Sequence, residues 1–422
     1  MLDLSSRRRV TRRQFGALAG AAGLSLGMPG ARVALAQMAP AAPNPADVIH
    51  GISPEMIIFN AKILVMETPL RELRKYKHTP KEILFTRFHF AHQGDVAFAT
   101  EAPPQIKDWT IRVEGLVERP TAVSLADLMK RPQETRVSVL QCAGNGRGFY
   151  AAEQKVPGGQ WHNGGMGNVE WEGVPLRPLL ADLKVLPSPR AHWLTAQPWD
   201  RDAPATPGAP GFAKSYHLAD PALDHAILAL KMNGEPIPSV HGGPVRLIIP
   251  GFYGNMNVKM VKVLLFANEQ SPSVFQSVGY RMPLKPVKPG EFKFDEYTIY
   301  NSVPTYGHVI KSVIFSPLPE DKPKAGNVEI AGVAFNDGQA PITSVEASAD
   351  GGKTWGKAEI APPESPWAWH HWSLKSKLGS GKNVLMCRAT DALGRTQPMD
   401  GLVRWNPRGF EWNGVDRVEI AI

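Results

Sequence analysis

Short alternating runs separated by turn residues crowd the last third of the chain. They read NVEIAGVAFNDG (327–338), ITSVEASADGGKTW (342–355), KAEIAPP (357–363), WAWHHWSL (367–374) and KNVLMCRATDALG (382–394). Apolar residues at every second position suit strands buried on one face, and Asn-Asp-Gly and Asp-Gly-Gly are the turns that join such strands. This spacing leaves no length for a helix bundle, so residues 291–422 are expected to form an immunoglobulin-like β-sandwich. The same punctuation continues upstream, where 39 prolines and 39 glycines are spread through 422 residues. Such a chain favours strands, turns and loops over long helices.

Residues 81–290 mix the two periodicities. WTIRVEGLV (109–117) and RVSVLQC (136–142) alternate as strands, while PVRLIIPGF (244–252) and VKMVKVLLF (258–266) read as buried ones. SLADLMK (124–130) has a helical spacing capped by Ser124, and VPLRPLLADL (174–183) has Pro175 near its start. The expected fold class is therefore α+β, a mixed α/β domain followed by the sandwich. RMPLKPVKPGEFKF (281–294) is linker-like, and residues 37–80 form a Pro-rich extension with one apolar piece, MIIFNAKILVM (56–66).

Residues 1–36 stand apart. Arg12 and Arg13 lie in SRRRVTRRQF, a Gly/Ala-rich apolar run follows, and Ala34-Leu35-Ala36 supplies a cleavage signal. This is the pattern of a twin-arginine export signal, so a periplasmic location is expected. The alternative, a membrane anchor, needs a longer and more apolar run. These residues carry six Arg and one Asp, so without them the formal charge falls from +8 to +3. That balance points to no nucleic-acid partner.

The chain has two cysteines, Cys142 and Cys387, and an exported chain can join such a pair as a disulfide. Cys387 sits in an apolar strand-like run, as structural cysteines do. Cys142 opens CAGNGRG, where three glycines, an asparagine and an arginine crowd six residues. Glycines let a backbone approach a bulky ligand, a neighbouring arginine favours a thiolate, and thiolates bind soft or high-valent transition metals. Arginines near such a metal suit an oxyanion, whose oxygens match the guanidinium fork. Other chemistries lack their signatures: there is no C-x-x-C-H, no H-E-x-x-H, no paired C-x-x-C and no G-x-S-x-G. GNGRG also fails as a dinucleotide loop, because FYAAEQKVPGGQW (149–161) shows no helical pattern.

CAGNGR resembles the cysteine loop of the sulfite oxidase family, the molybdopterin-dependent oxidoreductases. The resemblance covers roughly residues 80–422 and implies a molybdenum domain followed by a dimerisation domain. By it, Cys142 ligates molybdenum together with the pterin, and Arg147 and Trp161 (in GGQWHNGG) line the substrate pocket. LFTRFHFAH resembles the family's R-N-H segment, which puts Arg87 in the anion pocket and His89 on the cofactor; Phe88 stands where the family has Asn. NGEPIPSVHGGPVRLIIPGFYGNMNVKMVKVL implies that His241, Arg246 and Lys259 hold the pterin and its phosphate. Tyr280, in FQSVGYRMP, falls where the family has its active-site tyrosine. RWNPRGFEWNGVDRVEI resembles the closing segment, from which Arg408 reaches the pocket.

Each residue alone has a plain structural reading. Trp161 and Tyr280 fit a core, His241 a loop, Arg246 and Lys259 strand ends, and Arg408 a strand cap. The joint spacing from Cys142 is what favours the site. His162, His370 and His371 are read as structural or surface residues. The resemblance implies a sulfite dehydrogenase that passes electrons to a separate c-type cytochrome and works as a homodimer or with a cytochrome subunit. Three alternatives stay open: a sulfane dehydrogenase subunit of a thiosulfate-oxidising complex, a methionine sulfoxide reductase, and a non-catalytic periplasmic binding module. Arg147 counts against the first, whose cysteine loop lacks that arginine, and the second domain counts against the methionine sulfoxide reductase.

Overall fold

A computed structural model describes residues 52–61, 63–89, 108–199, 211–293 and 296–422. The export signal proposed for residues 1–36 lies outside the described residues. None of the described helices is long and apolar enough to cross a membrane.

The first unit is built on two five-stranded sheets. In one, Glu134–Gln141 pairs with Met166–Pro175, which pairs with Ile227–Met232; that strand is flanked by Glu235–Pro236 and Arg246–Ile248. All these pairs are antiparallel. The second runs in the order Thr121–Ser124, Thr110–Gly115, Val261–Ala267, Trp193–Pro198, Lys214–His217. Here Val261–Ala267 lies parallel to Thr110–Gly115 and antiparallel to Trp193–Pro198. Short helices seal the edges. Leu125–Lys130 starts at Ser124, whose side chain accepts the amide of Asp127, and Leu176–Asp182 begins after Pro175.

The second unit is an immunoglobulin-like β-sandwich of two four-stranded sheets. One sheet runs Lys311–Ser316, Gly326–Phe335, His370–Leu378, Glu359–Ile360; the other runs Gly356–Lys357, Ile342–Ser348, Lys382–Asp391, Asp416–Ala421. Ile314, Ile330, Val345, Trp372, Leu385 and Cys387 fill the space between them. Leu73, Val139, Met166, Val313, Phe315, Val333, Phe335 and Trp369 form a further apolar cluster drawn from both units.

Four local readings change. PVRLIIPGF forms a strand only at Arg246–Ile248, because the amide of Ile249 is taken by the side chain of Asn257 at 2.6 Å and Pro250 brings no donor. Arg281–Pro283, in the linker-like stretch, pairs with Ser302–Pro304. The apolar piece at 56–66 folds into a hairpin of Ile57–Asn60 and Val65–Glu67. FYAAEQ is not plain loop: Gly146 adopts φ +91° and turns the chain into a 3-10 helix, Arg147–Ala152.

Candidate active site

Strand Glu134–Gln141 ends at the edge of a cleft and delivers Cys142 into it. Two loops then lock together. The Cys142 amide donates to the Gly165 carbonyl at 2.8 Å, and the Gly165 amide donates to Asn145 Oδ1 at 2.9 Å. Cys142 and Cys387 are both free. Cys387 sits in the sandwich core, accepting from Ser312 Oγ at 3.3 Å, so the possible disulfide is not formed.

Arg147 is held by backbone. Its Nε donates to the Arg408 carbonyl and its Nη1 to the Gly159 carbonyl, both at 3.1 Å. Three glycines clear its path: a Cβ on Gly144, Gly158 or Gly409 would lie 2.5, 2.8 or 2.6 Å from Arg147 atoms. The close-packed glycines therefore serve the arginine as much as the cysteine. Gly409 and the Arg408 carbonyl come from the closing segment, which straps the loop from outside. The Glu411 amide donates to the Ala143 carbonyl at 2.9 Å, and Trp412 packs where a Cβ on Gly146 would be.

Arg87, His89, Cys142, His241, Arg246, Lys259 and Tyr280 line one cleft, with about 830 Å3 of empty space including the solvent at its mouth. Phe85, Phe88, Leu140 and Phe212 supply much of its wall, and among the described residues no carboxylate lines it. Arg147, Trp161 and Arg408 stand behind that wall. Trp161 is fully buried against Phe59 and Phe85, clustered with Cys142. Arg408 is buried, its Nη2 donating to the Val278 carbonyl at 3.4 Å.

The deep end holds His241, whose Nε2 lies 2.7 Å from the Lys81 carbonyl, and Arg246, which donates to the carbonyls of His241 and Asn257. Burial lowers His241 to about 3 and Arg246 to about 9. Lys259 donates to the Val240 carbonyl at 2.7 Å, with its ammonium 3.6 Å from the centre of the Phe88 ring. The aromatic at 88 thus provides a π face for that cation.

At the other end Tyr280, at φ +53°, places its hydroxyl 2.6 Å from His89 Nε2. Its ring stacks on Phe410 at 5.0 Å. Burial raises the Tyr280 phenol to about 12, opposed chiefly by Arg87. Burial, then Arg87, Lys214 and Lys259, push His89 well below the usual histidine range, so its ring stays neutral. Burial raises the Cys142 thiol, with Arg147 as the main opposing charge. The loop alone therefore leaves it a thiol, and ligation to a metal would make it a thiolate. Arg87 Nη1 is buried without a hydrogen-bond partner among the described residues. Among the described residues the cleft gathers several cations, no carboxylate and an unpartnered guanidinium nitrogen, a lining suited to anions.

Sequence reasoning missed Phe410 and Lys214. Phe410 lies within the closing segment already singled out, whereas Lys214 carried only one weak signal, a lysine in an otherwise strand-like AKSYH.

Residues 99–275 match the family model of an oxidoreductase molybdopterin binding domain, and residues 303–422 that of a Mo-co oxidoreductase dimerisation domain. Sulfite oxidase of Gallus gallus is 29% identical over 383 residues, covering 88% of this chain and 80% of that one. The mitochondrial sulfite oxidase of Mus musculus is 30% identical over 370 residues, covering 84% and 64%. The chain belongs to the sulfite oxidase family. A nitrate reductase of Phaseolus vulgaris is also 30% identical over 380 residues, which span 41% of it. Among solved structures, the sulfane dehydrogenase SoxCD from Paracoccus pantotrophus superposes with a TM-score of 0.70 at 29% identity, covering 84% of each chain.

The cofactor is molybdenum-molybdopterin, and the cleft fits it. Cys142 offers one soft donor, and His241, Arg246 and Lys259 line the deep end, where a phosphate needs cations. Among the described residues no three His, Cys, Asp or Glu side chains converge as an all-protein metal site would need. Cys142 would thus be the protein's donor, with the pterin supplying the others.

Proposed function

We propose that this chain is a sulfite dehydrogenase, working in the periplasm after twin-arginine export and passing electrons to a separate c-type cytochrome. The observation that carries this reading is Arg147, five residues after Cys142, fixed by two carbonyls and three glycines beside the thiol. Arg87, which lines the cleft, would hold the oxygens of a sulfite dianion and orient its sulfur toward the metal, while Arg147 and Arg408, behind the wall, would add positive charge to the pocket. Each charge-assisted hydrogen bond of this kind contributes about 1.5–3 kcal/mol. Tyr280 donates from its hydroxyl, and neutral His89 holds that hydroxyl in place. Aromatic walls at Phe85, Phe88 and Phe212 exclude water and strengthen these contacts. When bound, the molybdenum pterin supplies oxygen-atom transfer to sulfur and takes up two electrons.

The test joins elemental analysis for molybdenum to sulfite-dependent reduction of cytochrome c. Molybdenum-loaded protein that leaves the cytochrome oxidised in excess sulfite would rule the reading out. Protein without molybdenum would instead favour a binding module. Fractionation of hosts with and without the twin-arginine system tests the location. The similarity to SoxCD supports a second reading, oxidation of a protein-bound or inorganic sulfane sulfur. A loaded protein that turns over thiosulfate-derived sulfane but not sulfite would replace the first reading with the second.

A further inference from the structure

Lys214 opens the edge strand Lys214–His217 and is fully buried. Its ammonium donates to the Phe275 carbonyl and lies 4.9 Å from the centre of the Tyr280 ring and 5.6 Å from that of Phe212. Tyr280 and Phe212 line the cleft, and Lys214 does not, so it sits directly behind their wall. Among the described residues, the charged neighbour acting on it is another cation, Arg281, which is occupied by Gln276 and Ser302. Burial and Arg281 pull the Lys214 ammonium well below the usual lysine range. A carbonyl oxygen and two π faces oppose them, since all three favour a cation and none donates to an amine lone pair.

We propose that Lys214 is a specificity-determining positioning residue: a fixed cation behind Tyr280 and Phe212 that biases the cleft toward dianionic tetrahedral oxyanions over monoanionic ones. The proposal rests on the anion-pocket reading of the same cleft. Lys214 touches no substrate. Its field reaches the pocket through two aromatic side chains, a low-dielectric path that screens little. Coulombic attraction scales with ligand charge, so removing one fixed cation weakens a dianion by the square of the factor that it costs a monoanion of equal shape.

Sulfate and sulfamate form such a pair, nearly equal in shape and carrying two charges and one. Their affinities for molybdenum-loaded protein are read by calorimetry, so the test does not depend on turnover. Lys214→Met is expected to weaken sulfate about tenfold and sulfamate only about threefold. Lys214→Gln, which keeps a donor for the Phe275 carbonyl, should give the same pattern. Lys214→Arg should restore the wild-type ratio of the two affinities. Equal losses for both anions would mean that Lys214 merely props Tyr280, and no loss would mean that its amine is neutral; either overturns the proposal. Wild-type protein that binds neither anion overturns the anion pocket together with the proposal. Anion discrimination that depends on Lys214 in a protein inert toward sulfite supports the proposal and removes only the sulfite reading.

Discussion

Arg147 holds two roles in one side chain. It donates to two buried carbonyls, from Arg408 and Gly159, and it sets the field at Cys142. Arg147→Gln is therefore expected to raise the Michaelis constant for sulfite at least about tenfold and to weaken sulfate inhibition in parallel. Molybdenum content should stay near wild type, because Arg147 is no ligand. Unchanged affinities in fully loaded protein would remove Arg147 from substrate binding. Cys142→Ser should abolish sulfite oxidation while the pterin stays bound, and near-normal turnover would end the ligand assignment. A third residue governs acid stability. His308 is buried against Tyr253 and Phe335, and burial lowers it to about 4. Its unfolded value is about 6.5, so between those values the unfolded chain binds the extra proton and stability falls as pH falls. The full loss is roughly 3 kcal/mol, present below about pH 4 and absent above about pH 6.5. His241, lowered to about 3, acts in the same direction. Melting curves from pH 7 to 4.5 should show a falling midpoint, with a shallower fall in His308→Gln.

The cysteine loop shows what an element can demand of its sequence. Its glycines looked like room for a ligand, and the structure gives one of them a different occupant: a Cβ on Gly144 would lie 2.5 Å from Arg147 Nη2. Gly144→Ala should displace the guanidinium, raising the Michaelis constant for sulfite severalfold with molybdenum retained. A variant with wild-type kinetics would show that the arginine can be moved without consequence. The strand at the loop's base was readable from VSVLQC, but its burial was not: alternation suggests one buried face, whereas Val137 to Gln141 are all buried, on both faces. The 3-10 turn that follows was not readable, because FYAAEQ lacks helical periodicity and its conformation is imposed by Gly146 and by packing on Trp412.

At the scale of the molecule, the sandwich completes the catalytic unit. Arg408, Phe410, Glu411 and Trp412 all come from its closing segment, and a shared apolar cluster joins the two units. Bidentate pairing of Arg74 with Asp321, at 2.5 and 2.7 Å, fastens the N-terminal segment to the sandwich as well. Trp412 rests on Gly146, Phe149 and Tyr150. Trp412→Ala should cost about 2–4 kcal/mol. It should also lower molybdenum retention, because the cavity opens beside the loop that carries Cys142, the proposed ligand. Calorimetry should show one shared unfolding transition moving down. Two separate transitions, with only the sandwich affected, would mean that the units fold independently.

Local pattern alone determined a good deal here. Alternation and turn residues marked the sandwich strands, Ser124 marked a helix start, and the spacing of cysteine, glycines and arginine marked the loop where the chemistry gathers. These are properties of short windows, set by side-chain period and backbone sterics. Tertiary structure decided what no window contains. It set Lys214 behind Tyr280 from 66 residues away, stacked Phe410 on that tyrosine from 130 residues away, and fixed Arg147 by a carbonyl 261 residues distant. It also kept Cys387 in the sandwich core, far from partnership with Cys142. Charge and burial in a cleft depend on which distant segments close it, and closure is a matter of packing that sequence period does not record.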